Sequence, residues 1–361
     1  MLFDSSDPLN QTFRDAVTAA LTDAVTARRA DIAHRDAALG ALIDLVTPLA
    51  LGGKHFRPAF AWWGHVAVAG EPTDTGPLLK LAASLDLIHA GLLAHDDLID
   101  EAPTRRGRPS AHVAGARLAS PPNEGLGTAA AVIGGALLMN WGERLAQQSG
   151  LLSARAQAAL DGLLGDVLAG QLADAWAGAG LGLTGPGGRG RLDDAETVAE
   201  IDDLKTTSYT VVGPVKLGGL AAGADADQLA ALERFARPIG RAFQARDDVL
   251  AVFGNPARTG KPVGDDLRQG KMTALVVAGL AQADGAGLAT LRSVIGNAAA
   301  TDAEVACARD VIASCGALAA VEQAIADAVT TAEQALDGTG LHPEGRAGLI
   351  ALAHAAADRD S

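Results

Sequence analysis

The sequence is poor in aromatic side chains, in lysine and in cysteine. Only 3% of its 361 residues are aromatic while 48% are hydrophobic, so Ala, Leu, Val and Ile must form most of the core. Such residues suit closely packed helices. The two cysteines, Cys307 and Cys315, are too few for a disulfide framework or a zinc site, and we expect them to be free thiols in the core.

Basic residues are also fewer than acidic residues. The formal net charge is −14, which argues against a surface that binds nucleic acid or an anionic membrane. The most apolar segment, 129–141, is shorter than the ~20 residues needed to span a bilayer. The N-terminal residues MLFDSSDPLN lack the features of a secretion signal. We therefore expect a cytoplasmic protein with no nucleic-acid partner and no stable membrane insertion.

Apolar residues recur at helical spacing along most of the chain, and no segment alternates convincingly as a strand. This pattern predicts one all-α domain over residues 1–361, with helix starts at Asp225 and Thr301. The Gly-rich segment 178–191 is predicted to be a flexible loop rather than a phosphate-binding turn, since no Gly-Lys-Ser/Thr follows it. The predicted helices are 8–32, 36–50, 55–69, 75–101, 125–148, 152–178, 195–222, 226–254, 270–283, 302–336 and 343–358.

The first group of acidic residues is Asp96, Asp97 and Asp100, near the end of an apolar helix that Pro103 terminates. On a helix, Asp96 and Asp100 lie on one face and Asp97 about 100° around from them. Their mutual repulsion and the negative end of the helix dipole both disfavour this arrangement. A divalent cation would remove the conflict, and oxygen ligands with intervening waters suit Mg²⁺.

A second acidic pair, Asp247 and Asp248, again lies late in an apolar helix. A basic loop containing Gly and Pro follows each group, with Arg105 and Arg106 after the first and Lys261 after the second. Mg²⁺ bridges phosphate oxygens, and Arg and Lys neutralise the remaining charge. The two segments together therefore predict a diphosphate-binding site.

Six short motifs resemble those of the trans-polyprenyl diphosphate synthases, the family of the farnesyl and geranylgeranyl diphosphate synthases, and they occur in the family's order. The resemblance covers nearly the whole chain. It implies a single large helical bundle of the isoprenoid synthase type with a central active-site cavity. It also implies a homodimer that condenses isopentenyl diphosphate head to tail with an allylic diphosphate. The motifs are GGKHFRP (52–58), HDDLID (95–100), GQLAD (170–174), KTTSY (205–209), FQARDD (243–248) and GKPVGDDL (260–267).

The resemblance also implies roles for individual residues of this chain. The diphosphate of isopentenyl diphosphate would be held by Gly53, Lys54, Arg57, His89 and Arg106. The residues assigned to the allylic diphosphate and the surrounding substrate site are Arg105, Gln171, Asp174, Lys205, Thr206, Gln244, Lys261 and Lys271. The Mg²⁺ ligands would be Asp96, Asp100, Asp247 and Asp266, and Asp97 and Asp248 complete the catalytic clusters.

Two positions depart from the family pattern. Ala251 stands where many members carry the last Asp of the second cluster, so we expect retained activity with a weaker metal shell. Gly135 replaces an Asp that is common in the family, and the sequence offers no physical account of that change.

Product length is predicted from the residues that precede the first cluster. Gly91 and Leu92 lie about one helical turn, roughly 6–7.5 Å, below Asp96, where short-chain members typically place an aromatic ring. Without an aromatic ring at Gly91 or Leu92, the growing isoprenoid tail can extend past these residues. Ile88 could then form the next floor of the pocket that holds the tail. We expect a twenty-carbon product, geranylgeranyl diphosphate. Longer-chain synthesis and farnesyl diphosphate synthesis remain alternatives.

Two other classes of protein remain to be distinguished. A class I terpene cyclase would carry an Asn/Ser/Glu metal motif in place of the second cluster, and it would not need Lys54 and Arg57. A non-catalytic subunit of a heteromeric synthase is suggested by Ala251. Such subunits tend to lose the first cluster, which is intact here.

Overall fold

The computed structural model describes residues 3–34, 37–178, 195–255 and 264–359. Over these ranges the chain is almost entirely helical, which confirms the all-α prediction. The only strands among them are β1 (Thr104–Arg105) and β2 (Arg108–Pro109), which form an antiparallel hairpin. The first helices are α1 (Gln11–Ala33), α2 (Ala37–Ala50), α3 (Phe56–Ala69), α4 (Gly76–Ile99), α5 (Ala111–Ala116), α6 (Glu124–Gln148) and α7 (Ala154–Gly178).

The later elements include one long π-helical segment, Asp203–Val212, between two α-helices. The remaining helices are α8 (Ala195–Asp202), α9 (Gly213–Ala221), α10 (Ala226–Phe253), α11 (Asp265–Gln269), α12 (Ala274–Gln282), α13 (Gly285–Val294), α14 (Asp302–Ser314), α15 (Ala317–Ala335) and α16 (Pro343–Ala357).

The chain divides into two compact units, each assembled from separate stretches of sequence. The first unit comprises Met1–Leu160, Gly213–Leu232 and Thr339–Leu352. The second comprises Asp161–Val212, Glu233–Gly338 and Ala353–Ser361. That the whole chain acts as a single domain stays a prediction.

In the first unit, α4 is buried over most of its length and makes a close crossing with α6. A Cβ atom at Gly91 would collide with the carbonyl oxygen of Gly135 and lie 2.5 Å from Met139 Cγ. A Cβ atom at Gly135 would lie 2.5 Å from His95 Nε2 and 2.8 Å from the carbonyl oxygen of Gly91. Glycine at position 135 is therefore explained by packing, because any side chain there would push the two helices apart.

The start of the chain is also fixed in this unit by aromatic contacts. The rings of Phe3, Phe13 and Trp62 meet edge to face, with centroids 4.7–6.3 Å apart. Edge-to-face contacts suit the quadrupoles of aromatic rings. Three of the chain's few aromatic residues thus fix the N-terminal segment against α3.

In the second unit, α10 and the π-helical segment carry two of the predicted motifs. A Cβ atom at Gly170 would lie 2.6 Å from Lys205 Cα, and one at Gly240 would lie 2.6 Å from Thr207 Cγ2. These two glycines allow α7 and α10 to approach the π-helical backbone closely. Arg246 of α10 makes a two-pronged ion pair with Glu322, with N–O distances of 2.7 and 2.6 Å. The KTTSY motif is therefore held between rigid helices.

The helix boundaries largely follow the predictions, with identifiable exceptions. The predicted helix 302–336 is two helices, because Gly316 adopts a left-handed conformation between them with φ of 95°. The predicted helix 195–222 contains the π-helical segment, and the short helices α5, α11 and α13 were not predicted.

Two smaller predictions about side chains have different outcomes. Thr301 caps α14 with a reciprocal bond to Glu304, and Asp225 accepts a hydrogen bond from Gln228 N at 2.8 Å, so both predicted helix starts are confirmed. Cys307 is exposed and Cys315 only half-buried, so the prediction of core thiols was wrong. Cys307 lies on the outer face of an amphipathic helix.

By length and composition alone, two described helices, α4 and α6, are apolar enough to cross a membrane, and a third candidate arises if the bent pair α14 and α15 is counted as one span. Two thirds of the most apolar window of α4 is nevertheless buried against other parts of the protein. The absence of membrane insertion stays a prediction.

Candidate active site

The first acidic cluster occupies the last turn of α4, as the spacing predicted. Asp96 and Asp100 are half-buried on one side of the helix, whereas Asp97 has no exposed surface. The carboxylate of Asp97 accepts a hydrogen bond from Arg105 Nε at 2.7 Å and a second one from Arg105 Nη2. Asp97 therefore holds Arg105 in place, and its role as a catalytic residue stays a prediction.

A tight hairpin brings Arg105 to this position. Strand register pairs Arg105 with Arg108, so Arg106 and Gly107 form a two-residue turn, both with positive φ. Burial lowers the pKa of Arg105, but the bond to Asp97 and the nearby carboxylates outweigh burial and raise it. Arg105 Nη2 also lies 3.5 Å from an oxygen of Asp96. The result is a permanent positive charge beside the exposed edge of the cluster.

The basic residues assigned to isopentenyl diphosphate lie together in the same unit. The pKa of His89 falls well below its usual value, because His89 is buried and because Arg57, Arg106 and Arg105 surround it with positive charge. Arg106 donates to the carbonyl oxygens of Leu49, at 2.9 Å, and Gly52. His89 is therefore a neutral hydrogen-bonding group among three arginines. Such an excess of positive charge is expected where an anionic ligand binds.

The second acidic pair lies near the end of α10 in the other unit. Asp248 is only 3% exposed and accepts a hydrogen bond from Gln244 Nε2 at 2.7 Å. Its other oxygen is buried without a hydrogen-bond partner among the described residues. Burial, followed by the charges of Asp202, Asp247 and Asp266, raises the pKa of Asp248 well above its ordinary value.

Two residues at this pair were missed by the sequence reasoning. Burial and the charges of Asp174 and Asp203 raise the pKa of Asp202 to about 7. Arg359 Nη2 lies 2.7 Å from Asp247 Oδ1, and the guanidinium also stacks 3.7 Å from the centre of the Phe243 ring. Asp202 could have been found from its position one turn before Lys205. No local signal marks Arg359.

The other predicted substrate residues of the second unit are distributed around the π-helical segment. Lys205 Nζ forms an ion pair with Asp174 Oδ2 at 2.5 Å. The backbone N–H of Lys271 donates to the carbonyl oxygen of Asp266 at 3.0 Å. Gln171, Thr206 and Gln244 are half-buried. Lys261 lies outside the described residues, as does nearly all of the predicted loop 178–191.

The residues predicted to measure product length are not all on one side of α4. Gly91 faces α6, where a side chain would collide with Gly135. Ile88 is fully buried, and its side chain packs against α6 at Gly142. Leu92 is half-buried on the side that carries Asp96. The structure thus places Gly91 and Ile88 in contacts between helices, and the role of Gly91, Leu92 and Ile88 in product length stays a prediction. The spacing gave their depth correctly, but the crossing with α6 decides which way they face.

The donor atoms of both clusters fit a hydrated divalent cation. Within the described ranges, no three Asp, Glu, His or Cys side chains converge closely enough to enclose a metal ion by themselves. Mg²⁺ usually keeps several waters and is bound through one or two carboxylates together with substrate phosphates. Half-buried pairs of carboxylates such as Asp96 and Asp100 match that mode of binding, rather than a closed protein cage.

Comparisons with known proteins show the family of the chain. The polyprenyl synthetase family model matches residues 41–312. A short chain isoprenyl diphosphate synthase of Methanothermobacter thermautotrophicus is 31% identical over 249 residues, which are 68% of this chain and 69% of that protein. A geranylgeranyl diphosphate synthase of Mycobacterium tuberculosis is 33% identical over 245 residues, or 66% of this chain and 61% of that protein.

A solved structure gives the same result for the fold. The geranylgeranyl pyrophosphate synthase from Corynebacterium glutamicum, complexed with isoprenyl diphosphate and magnesium, is 32% identical with a TM-score of 0.87, covering 96% of this chain and 98% of that one. Other relatives are named farnesyl, geranylfarnesyl and nonaprenyl diphosphate synthases, so the names span several product lengths. The chain belongs to the polyprenyl synthetase family and is a prenyltransferase that joins isoprenoid diphosphates head to tail.

Proposed function

We propose that the chain is a Mg²⁺-dependent geranylgeranyl diphosphate synthase, which elongates an allylic diphosphate with isopentenyl diphosphate. The observation that carries the proposal is the intact first cluster, in which Asp96 and Asp100 are accessible and Arg105 is fixed beside them. The similarity to two geranylgeranyl diphosphate synthases supports the product. A non-catalytic subunit does not need such a cluster.

The proposed metal ligands are Asp96 and Asp100 in the first unit and Asp247 and Asp266 in the second. When bound, Mg²⁺ would neutralise the leaving diphosphate of the allylic substrate. The oxygen donors fit this ion, since carboxylates and water are its usual ligands. This chain's own part is to hold those carboxylates at the ends of rigid helices.

The basic residues supply fixed positive charge where negative charge develops on the leaving group. Arg105 is locked by Asp97, and Lys205 is held by Asp174 on a neighbouring helix. Preorganised charge of this kind needs no rearrangement during the reaction. In the first unit, Lys54 and Arg57 would bind the diphosphate of isopentenyl diphosphate, with neutral His89 as a hydrogen-bonding partner.

Product analysis tests this proposal directly. Purified protein is incubated with isopentenyl diphosphate, Mg²⁺ and each allylic primer in turn, and the products are measured by mass spectrometry. We expect twenty-carbon products from the shorter primers, and product formation lowered by ~10³-fold or more in the Asp96→Ala variant, which is the matched control. Fifteen-carbon products, or products of twenty-five carbons or more, would replace the proposed chain length with one of its alternatives. A cyclised hydrocarbon from one allylic substrate alone would contradict the reaction class.

We also propose that the active form is a homodimer, formed through one face of α6. Leu126, Val132 and Ile133 are exposed on this helix, although they are apolar. Apolar faces of this kind are usually covered by a partner, and a second copy covers the same face of both subunits. Light scattering should give twice the monomer mass for the wild type and for Leu39→Asp, an exposed leucine on α2. Ile133→Asp should give monomers, and an unchanged mass would contradict this surface.

We further propose a cytoplasmic location without stable membrane insertion, since α4 is mostly buried by protein. Cell fractionation should recover the enzyme in the soluble fraction at high and low salt.

A further inference from the structure

The backbone of the GGKHFRP segment adopts an unusual conformation, which contacts with other parts of the chain must stabilise. Gly53 has φ of 144°, and His55, which directly precedes α3, is left-handed with φ of 58°. A residue with a Cβ atom is disfavoured in this conformation, so the surrounding contacts have to stabilise it. Lys54 and Arg57, the two residues proposed to bind isopentenyl diphosphate, lie on either side of His55.

The contact that holds His55 is a buried pair with Asp86. His55 Nδ1 lies 2.5 Å from Asp86 Oδ2, and the two residues are only 5% and 8% exposed. On the other side of the ring, Nε2 lies 3.3 Å from the hydroxyl of Thr18. Both ring nitrogens are therefore occupied, which fixes the orientation of the imidazole.

Asp86 belongs to α4, the helix that ends in the first acidic cluster, and it lies one turn before His89. The other half of the segment is held by Arg106, whose guanidinium bonds the carbonyl oxygens of Leu49 and Gly52. The segment is thus clamped twice, once through its carbonyl groups and once through the His55 side chain. Arg106 is assigned to substrate by its motif, whereas no motif assigns a role to His55 or Asp86.

We propose that Asp86 and His55 are positioning residues of the isopentenyl-diphosphate site. They hold the backbone between Lys54 and Arg57 in the one conformation that aims both cations at the same diphosphate. The pair is buried and does not itself touch the substrate, so its effect passes through Lys54 and Arg57. This inference depends on the proposed function, which assigns those two cations to isopentenyl diphosphate.

The pair has a distinctive kinetic consequence. A less ordered GGKHFRP segment weakens the binding of isopentenyl diphosphate only. The residues assigned to the allylic diphosphate are unchanged. We therefore expect Asp86→Ala and His55→Ala each to raise KM for isopentenyl diphosphate by ~10-fold or more, with kcat and KM for the allylic diphosphate changed by less than about 3-fold. The double variant should be no worse than the poorer single variant, because the two residues act as one unit.

The experiment measures both KM values, kcat and the melting temperature for each variant. Asp44→Ala is the matched control, since it breaks an exposed ion pair with Arg29 in the same unit. Thr18→Val is a milder variant that removes only the 3.3 Å contact, and it should raise KM for isopentenyl diphosphate by a smaller factor. It keeps the test decisive if the alanine variants do not fold. Asp86→Glu, which retains the carboxylate, should recover part of the lost affinity.

The possible outcomes separate this inference from the proposed function. A wild-type protein that forms no product from isopentenyl diphosphate contradicts the proposed function itself. If the wild type is active but the Asp86 and Thr18 variants keep a normal KM for isopentenyl diphosphate, only the positioning role is lost. Equal rises in both KM values, accompanied by a lower melting temperature, would mean that the pair serves the fold in general and would also overturn the inference.

Discussion

The two acidic clusters look alike in sequence but differ in how their charge is balanced. Each contains two adjacent aspartates late in an apolar helix, with one of them buried. Asp97 is buried but paired with the guanidinium of Arg105, which lies 2.7 Å away. Asp248 receives only an amide bond from Gln244, and its charged neighbours are other carboxylates.

Because their buried aspartates have different partners, the two clusters should differ in how far their charge balance depends on an added cation. The first cluster carries its own counter-charge, fixed by the hairpin. In the second, the cations that the structure describes pair with other carboxylates than Asp248, namely Arg359 with Asp247 and Lys205 with Asp174. A buried carboxylate without a nearby cation tends to become protonated. We therefore expect a bound cation to contribute more to the charge balance of the second cluster than to that of the first.

The largest effect should come from removing an accessible ligand of the balanced cluster. We expect Asp96→Ala or Asp100→Ala to lower turnover by ~10³-fold or more, equivalent to about 4 kcal/mol of transition-state stabilisation. Steady-state rates at saturating substrate and Mg²⁺ measure this loss. The exposed Asp44→Ala variant should retain normal rates. Near-normal turnover in a folded Asp96 variant would remove this cluster from the mechanism.

Stability should distinguish the buried member of each pair. Asp97→Asn leaves the guanidinium of Arg105 without its main counter-charge, so we expect the free energy of unfolding to fall by about 3–5 kcal/mol. Asp248→Asn should cost far less, because burial and the neighbouring carboxylates raise the pKa of Asp248 and disfavour its charged form. Urea unfolding with a chelator present measures both variants. Similar losses for the two would contradict the difference between the clusters.

The pH dependence of stability provides a smaller effect of known sign. The pKa of Asp202 rises from its ordinary 3.8 to about 7 on folding, so the folded state binds more protons between these values. Stability from this group is therefore present at low pH and is lost as the pH rises toward 7. The Asp202→Asn side chain does not titrate, so this variant does not lose that stability as the pH rises. Without metal, its melting temperature should exceed that of the wild type by more at pH 8 than at pH 5.

A constant difference across this pH range would mean that Asp202 titrates normally in the folded protein. The exposed Asp227→Asn variant is the control for removing one carboxylate from the same unfolded chain.

The sequence predicted the helical class and the residues of both clusters, because helical spacing and motif order depend on local positions. It predicted the relation of Asp96 to Asp100 for the same reason. It did not predict that Arg105 would engage Asp97, since that depends on a hairpin turn. It did not predict that Gly91 faces α6, because spacing gives depth along a helix, whereas the close approach of Gly135 decides which side is filled.

The partners of the second cluster were beyond sequence reasoning for a related reason. Arg359 reaches Asp247 only because the C-terminal segment packs beside α10, and nothing local to either residue indicates that contact. The KTTSY motif predicted Lys205, but not the π-helical backbone that carries it. Residues that act through distant contacts, such as Asp86 with His55, are likewise visible only in the folded chain.

The smallest expected effect concerns the residue that the second cluster lacks. Ala251 lies one helical turn after Asp247, and its carbonyl oxygen accepts a hydrogen bond from Gly264 N at 3.2 Å, two residues before Asp266. A carboxylate at position 251 would therefore lie between two proposed ligands. We expect Ala251→Asp to keep its activity and to lower the Mg²⁺ concentration for half-maximal rate by about 3-fold, because it adds an oxygen ligand.

The control for this change is Ala251→Asn, which has nearly the same size but no charge. It should leave the Mg²⁺ dependence close to that of the wild type, so that a shift seen only with Asp reports the added negative charge. Rates measured over a titration of Mg²⁺, at fixed saturating substrate, provide the comparison. If Ala251→Asp leaves the titration unchanged and Asp247→Ala is also harmless, the second cluster does not bind the metal. Asp247 would then serve to hold Arg359.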